Sequence, residues 1–205
     1  MTIALEYMDA GSLTDVIARA GALPEKAVAC LAFQAAWGLA YLKTCKRVHR
    51  DVKPSNMLLN MRGEVKLSDF GISSELRSSL AMCGTFVGTF KYMSPERVQN
   101  LPYSYASDVW ALGMVLFECV TGEYPYKNCV SCIDLVQTIT EMGPPVLPAH
   151  AAGDLRDLVL QCCCKSPSAR LPAEVVLGAP FLQRHGVTSL AAGVAGMGEF
   201  LARFR

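Results

Sequence analysis

The sequence has 205 residues, of which 52% are hydrophobic and 18% are charged. That length and apolar fraction suffice for one sizeable domain with a buried core, and they exclude a disordered chain. The formal net charge of +1 provides no field that would hold nucleic acid or an anionic membrane surface. The longest apolar stretch, 109–120, is shorter than the roughly twenty residues of a spanning helix, so it predicts a buried helix and no membrane span.

Hydrophobic period, together with turn and cap residues, predicts the elements in chain order. The first are a strand over 2–7, a helix over 13–20 after the turn 9–12, a helix from Pro24 to about residue 44, and strands 57–59 and 65–67 around the turn 60–63. Residues 70–105 show no sustained period, and a loop of that length is usually functional. Later helices are predicted over 107–121, 131–141, 154–164 and 173–177, and one loose helix in the Gly/Ala-rich tail 187–205.

The cysteines indicate thiols rather than disulfides or a zinc site. Nine cysteines are an odd number, and three of them are consecutive at 162–164, where neighbours on a helix point in different directions. Cys129 and Cys132 form one C-x-x-C pair without the second pair that completes a zinc tetrahedron. The N-terminal segment also lacks the basic region of a secretory signal peptide. These features predict reduced cysteines and a cytoplasmic protein.

Residues 49–56 combine side chains that phosphoryl transfer requires. Asp51 can accept a proton, Lys53 can neutralise a phosphate, and Asn56 offers an amide oxygen to a hard cation. A carboxylate and an amide carbonyl at this spacing on one loop can face the same cavity. The run therefore predicts a site that positions a hydroxyl beside a metal-bound triphosphate.

Three further constellations follow in order. Asp69, with Phe70 and Gly71 after it, comes directly behind a predicted strand, where its carboxylate can chelate Mg²⁺. The second is the run 88–96, and the third begins with Asp108, directly before the apolar stretch 109–120. Each is weak by itself, since an Asp before a helix is usually only a cap.

Taken together, the constellations resemble the motifs of eukaryotic protein kinases, and the chain is most similar to the mitogen-activated protein (MAP) kinase kinases. The resemblance implies a mostly α, protein-kinase-like α+β fold: the C-terminal lobe, with only the hinge and last strand of the N-terminal lobe. It implies a truncated kinase domain over 1–185 and a C-terminal tail over 186–205. The matching stretches are 5–13, 51–55, 65–71, 86–97, 103–108 and 122–126.

The resemblance also implies catalytic roles. Asp51 would be the catalytic base, and Lys53 would stabilise the transferring phosphoryl group. Asn56 and Asp69 would hold Mg²⁺. Lys53 together with Thr89 is similar to the serine/threonine-type pattern and not to the tyrosine-kinase one.

Further residues are implied to contact ATP or to support the fold, although strand, cap and core positions need no ligand to explain them. Those implied at ATP are Leu5 as gatekeeper, Glu6 and Met8 as backbone contacts to adenine, Leu58 beneath the ring and Ser12 near the ribose. Glu96 and Arg170 are implied to form the buried ion pair that ties the activation segment to the lower lobe, while Asp108 has a structural role.

The loop before residue 94 contains Ser79 and Thr85, which are spaced like the paired phosphorylation sites of plant-type family members. We expect an upstream MAP kinase kinase kinase to phosphorylate both, and Arg50 could receive a phosphate on Thr85. A serine-rich loop that is merely solvated is the alternative. The implied activity is transfer of the ATP γ-phosphate to Thr and Tyr in a MAP kinase activation loop.

The printed sequence contains no Gly-rich phosphate loop and no β3 lysine before Asp51. Two explanations remain open: a piece of an active kinase kinase in which Met1 is internal, or a non-catalytic module that binds a MAP kinase or its activator. Because in-line transfer depends on positioning and charge neutralisation, we expect negligible phosphotransfer from the chain as printed.

Overall fold

The computed structural model describes residues 5–69 and 90–204 of the chain. Its first half contains β1 (Gly11–Ser12), α1 (Leu13–Ala20), α2 (Glu25–Thr44), a 3₁₀ turn (Pro54–Asn56), β2 (Met57–Leu59) and β3 (Val65–Leu67). Its second half contains α3 (Pro95–Val98), α4 (Tyr105–Thr121), α5 (Cys132–Glu141), α6 (Gly153–Cys162), α7 (Ala173–Val176), α8 (Pro180–Arg184), α9 (Leu190–Leu201) and a 3₁₀ turn (Ala202–Phe204).

The core forms around α4, as the apolar stretch predicts. Trp110, Leu112 and Leu116 in this helix are fully buried, and α2 and α6 pack against it. Gly113 permits the approach of α6, because a Cβ at this position would lie 2.6 Å from Sγ of Cys163. The helix begins at Tyr105, before the predicted start, since Ser104 provides a capping box with Ser107.

A small antiparallel sheet lies beside the helices, in the order β1-β2-β3. The hairpin β2–β3 has the predicted bounds. The predicted strand at 2–7 is wrong in its described part, since residues 5–8 have no regular structure. The first strand lies instead at 11–12, where a turn and a cap were expected, because the chain meets β2 only there.

The C-terminal helix α9 packs closely on α2. The helix predicted in the tail is present, but Met197, Phe200 and Leu201 are buried, so it is part of the core and not loose. A Cβ at Gly196 would lie 2.6 Å from Sγ of Cys30 in α2, which shows how near the two helices come. The boundary between 185 and 186 stays a prediction.

The cysteines of the described residues are all free thiols. Burial raises the pKa of Cys30 to about 11 and that of Cys162 to about 12, which suits side chains that fill the core. Within 5–69 and 90–204, no group of three or more His, Cys, Asp or Glu could hold a metal ion. In the same residues, no helix combines the length and the apolar character that a membrane span requires.

Candidate active site

The loop between α2 and β2 brings Asp51, Lys53 and Asn56 together. Lys53 Nζ lies 2.8 Å from Oδ2 of Asp51, and both side chains are about one-quarter exposed. The Asn56 amide nitrogen donates to the backbone carbonyl of Asp51 at 2.8 Å and to its Oδ2 at 2.9 Å. Pro54 begins the 3₁₀ turn that folds Asn56 back onto Asp51. A carboxylate that can accept a proton thus lies beside a cation that can neutralise phosphate.

Asn56 and Asp69 lie at the two open ends of the β2–β3 hairpin. The backbone amide of Ser68 donates to the carbonyl of Asn56 at 2.9 Å, and its hydroxyl donates to the same oxygen at 3.2 Å. Asp69 follows immediately, with a left-handed φ of 59°. The side-chain nitrogen of Asn56 donates to Asp51, and therefore the side-chain oxygen of Asn56 points away from the Asp51 carboxylate. One amide oxygen and one carboxylate are donors that suit Mg²⁺, which takes few protein ligands beside phosphate oxygens.

Asp108 holds the backbone of the loop that leads into Asp51. Its Oδ2 accepts the His49 amide at 2.8 Å, and its Oδ1 accepts the Arg50 amide at 2.9 Å. Tyr103 donates its hydroxyl to Oδ1 at 2.7 Å. Burial raises the pKa of Asp108, and these hydrogen bonds to the carboxylate oppose that rise. The role of Asp108 therefore exceeds a helix cap, because it fixes the two residues before Asp51.

Arg50 has a φ of 73°, an unfavourable conformation for a residue with a side chain. Arg97 stabilises this backbone conformation, because its guanidinium donates a hydrogen bond to the Arg50 carbonyl. The same guanidinium stacks over the Tyr103 ring at 5.1 Å. Sequence patterns did not assign Arg97 and Tyr103 to the site, since each reaches it only through contacts made in the folded chain.

Glu96 and Arg170 form the predicted ion pair. Two parallel contacts of 2.9 and 3.0 Å join the guanidinium to both carboxylate oxygens, and both side chains are almost fully buried. The Ser107 hydroxyl donates to Oε1 of Glu96 at 2.6 Å. Burial raises the pKa of Glu96, but the hydrogen bonds from Arg170 and Ser107 outweigh it, so its pKa lies below 4.5. The pair ties α3 to the segment before α7.

Two of the residues implied at the nucleotide, Leu58 and Ser12, are paired across the small sheet. Leu58 pairs with Ser12 on one side and with Lys66 on the other. Its neighbours on β2 are fully buried, so Leu58 faces away from the core. Ser12 is also the N-cap of α1, because its hydroxyl accepts a hydrogen bond from the Asp15 amide at 3.3 Å.

The segment before this sheet is more exposed. Leu5 is 83% exposed, whereas Met8 is buried and its carbonyl accepts the Gly11 amide at 3.1 Å. Glu6 forms ion pairs with Lys66 and, at 3.4 Å, with Arg62. The structure thus brings Glu6 to the sheet face through β3. Thr89 and the predicted phosphorylation sites Ser79 and Thr85 lie outside the described residues.

Comparison with known proteins gives matches over most of the chain. The protein kinase domain family matches residues 1–182. Mitogen-activated protein kinase kinase 3 of Arabidopsis thaliana is 43% identical over 187 residues, which are 90% of this chain and 36% of the relative. Mitogen-activated protein kinase kinase 1c of Physcomitrium patens is 42% identical over 193 residues, 90% of this chain and 56% of the relative. The chain spans about half the length, or less, of these curated relatives.

Proposed function

This chain belongs to the protein kinase domain family, and we propose that its activity is that of a MAP kinase kinase. In this proposal, the γ-phosphate of ATP passes to hydroxyl groups in the activation loop of a MAP kinase. The similarity to several kinases named MAP kinase kinase supports this substrate class. The free cysteines support a reducing compartment, the cytoplasm.

The observation that carries the proposal is the contact of Asp51 with both Lys53 and Asn56. Asp51 would accept the proton of the substrate hydroxyl, and Lys53 would neutralise charge on the phosphoryl group. Asn56 and Asp69 would hold Mg²⁺, which when bound neutralises the β- and γ-phosphates. Leu58 and Ser12 would lie along the nucleotide.

Regulation by phosphorylation belongs to the same proposal. Ser79 and Thr85 would be modified by an upstream MAP kinase kinase kinase. Arg50 is exposed and directly precedes the proposed base, so a phosphate that pairs with its guanidinium would act on the loop that holds Asp51.

The test joins the chain to the part of Arabidopsis mitogen-activated protein kinase kinase 1 that precedes its matched region, a relative 41% identical over 191 residues. We expect Mg²⁺-dependent transfer of labelled phosphate from ATP to a MAP kinase. Asp51→Asn should slow the transfer by about a hundredfold or more, because general-base catalysis is lost. Asp157→Asn, an exposed aspartate of α6, is the matched control and should leave the rate unchanged.

Two outcomes would contradict the proposal. One is an inactive fusion that folds and binds ATP while the intact Arabidopsis kinase is active in the same assay. The other is full activity in Asp51→Asn. If the 205-residue chain binds a MAP kinase tightly and the folded fusion transfers no phosphate, the non-catalytic binding module is favoured instead.

A further inference from the structure

The turn of the β2–β3 hairpin is attached to helices that lie far from it in the sequence. Gln34, in the middle of α2, is 5% exposed. Its Nε2 donates to the carbonyl of Gly63 at 3.0 Å, and its Oε1 accepts the amide of Val65 at 2.9 Å. One buried side chain therefore satisfies two backbone groups of the hairpin and fixes its distance from α2.

The C-terminal helix α9 lies against the same turn, backbone to backbone. Gly63 has a φ of 94°, and a Cβ there would lie 2.1 Å from the carbonyl oxygen of Val194 and 2.3 Å from the amide nitrogen of Gly198. From the other side, a Cβ at Gly198 would lie 2.8 Å from the carbonyl oxygen of Arg62. Both glycines are thus required for the close approach of α9 to the hairpin.

The helix α9 also packs against α2, so the two helices that contact the hairpin turn are held together. Gly196 lies against Cys30 of α2, and Gly193 lies against Gln34, whose Cγ would be 3.3 Å from an added Cβ. Lys26 and Glu199 add an exposed ion pair of 2.8 Å between the same helices. The hairpin turn is therefore held between α2 and α9.

The other end of the hairpin carries the two proposed magnesium ligands. Asn56 directly precedes β2, and Asp69 follows β3 by two residues. The ends are joined by the hydrogen bonds of Ser68 to the Asn56 carbonyl. The antiparallel pairing of β2 with β3 connects the turn to both ends, so a displacement of the turn is transmitted along the paired strands.

We propose that α9 and Gln34 are positioning elements for Asn56 and Asp69. This inference rests on the proposed function, and it assigns to the C-terminal helix, outside the residues 1–182 that match the kinase family, a role in Mg²⁺-dependent nucleotide binding. By fixing the hairpin turn, α9 sets where the amide oxygen and the carboxylate lie relative to Asp51.

The test uses Gly198→Ala, in the 205-residue chain for hydrogen exchange and in the fusion with the Arabidopsis segment for ATP binding. Alanine favours a helix more than glycine does, so the helix itself gains stability while the added methyl group collides with the Arg62 carbonyl. Gly143→Ala is the matched control, because nothing lies within 4 Å of the added Cβ. Gln34→Met, which keeps the length and removes both hydrogen bonds, perturbs the same turn from α2.

Two quantities are measured in each variant: hydrogen exchange of individual amides, and the Mg²⁺ concentration that half-saturates ATP binding. In Gly198→Ala and Gln34→Met we expect exchange at the Ser68 amide to be faster by about tenfold, with the Leu112 amide of α4 unchanged. The required Mg²⁺ concentration should rise by about tenfold, the effect typical of residues that orient metal ligands. Gly143→Ala should change neither quantity.

The positioning role is overturned if the Ser68 amide keeps its exchange rate in both variants, or if all amides accelerate equally. It is also overturned if exchange changes while the Mg²⁺ requirement of ATP binding does not. Coupling of the hairpin in hydrogen exchange, with a folded fusion that binds no nucleotide at any Mg²⁺ concentration, would support the mechanical role of α9 and count against the proposed function. The two failures are therefore distinguishable.

Discussion

Two ion pairs of this chain differ in burial: one joins α3 to the segment before α7, and the other joins Glu6 to β3. The Arg170 and Glu96 side chains are 0% and 6% exposed, whereas those of Lys66 and Glu6 are 45% and 46% exposed. Buried charges are costly when they lose their partner, while exposed pairs are screened by water and salt. The α3 segment, whose Arg97 contacts Arg50, is thus fixed by a buried ion pair, whereas the ion pair between Glu6 and β3 is exposed to water.

Removal of one partner of the buried pair should have the largest effect. Arg170→Ala leaves the Glu96 carboxylate buried without its cation, so the free energy of unfolding should fall by about 3–5 kcal/mol. Urea denaturation followed by circular dichroism measures the loss. Arg203→Ala, an exposed arginine in the last turn, is the control and should change stability by less than about 0.5 kcal/mol. Equal losses of unfolding free energy in Arg170→Ala and Arg203→Ala would show that the buried ion pair contributes no more than an exposed arginine.

A smaller effect is expected from pH at the loop that contains Asp51. Burial lowers the pKa of His49 below its ordinary 6.5, despite the opposing influence of Asp108. The unfolded chain therefore binds a proton at this residue more readily than the folded chain, and stability should fall as the pH drops below about 6.5. Nδ1 of His49 accepts the Asp51 amide at 3.3 Å, a bond that protonation would break.

The free energy of unfolding, measured from pH 7.5 to pH 5.5, checks this expectation. His49→Gln should show a shallower dependence on pH than the unsubstituted chain. His150→Gln, at an exposed position, is the control and should retain the original slope. An unchanged slope in His49→Gln would show that other groups dominate the pH dependence.

The exposed pair should contribute least. Lys66→Ala removes one of the two cationic partners of Glu6 and should lower the free energy of unfolding by less than about 1 kcal/mol. The loss should shrink further when the ionic strength rises from 0.05 to about 0.5 M, because salt screens exposed charges. A loss that matched Arg170→Ala, or that persisted at high salt, would remove the distinction between the two regions.

Much of the fold could be predicted because its signals are local. The helix Leu13–Ala20 and both strands of the hairpin have the expected bounds, since a cap, a period or a turn marks each of them. The kinase family assigned from the motifs is confirmed by the match over 1–182. The short helices Pro95–Val98 and Pro180–Arg184 were missed, whereas the equally short Ala173–Val176 was predicted, so sequences of four or five residues give no consistent helical signal.

The residues of the site also divide into those marked by a local motif and those placed only by folding. The contact of Asp51 with Asn56 follows from their spacing on one loop, so a local motif could indicate it. Arg97 reaches the loop before Asp51 through Arg50, which lies 47 residues earlier. Tyr103 reaches it only through Asp108, which itself accepts the His49 amide, so no local pattern assigns either residue to the site. Gln34 lies within a helical pattern that any polar residue could occupy, so its two hydrogen bonds to the hairpin were not foreseeable.

The sequence by itself determined the family, the buried central helix and the identity of the residues proposed for catalysis, because these depend on composition, period and short motifs. Only the tertiary structure decided what holds those residues in place: Asp108 under the loop, Arg170 on Glu96, and α9 against the hairpin turn. The physical reason is that such contacts join segments remote in the chain, and their strength depends on burial, which no single stretch of sequence specifies.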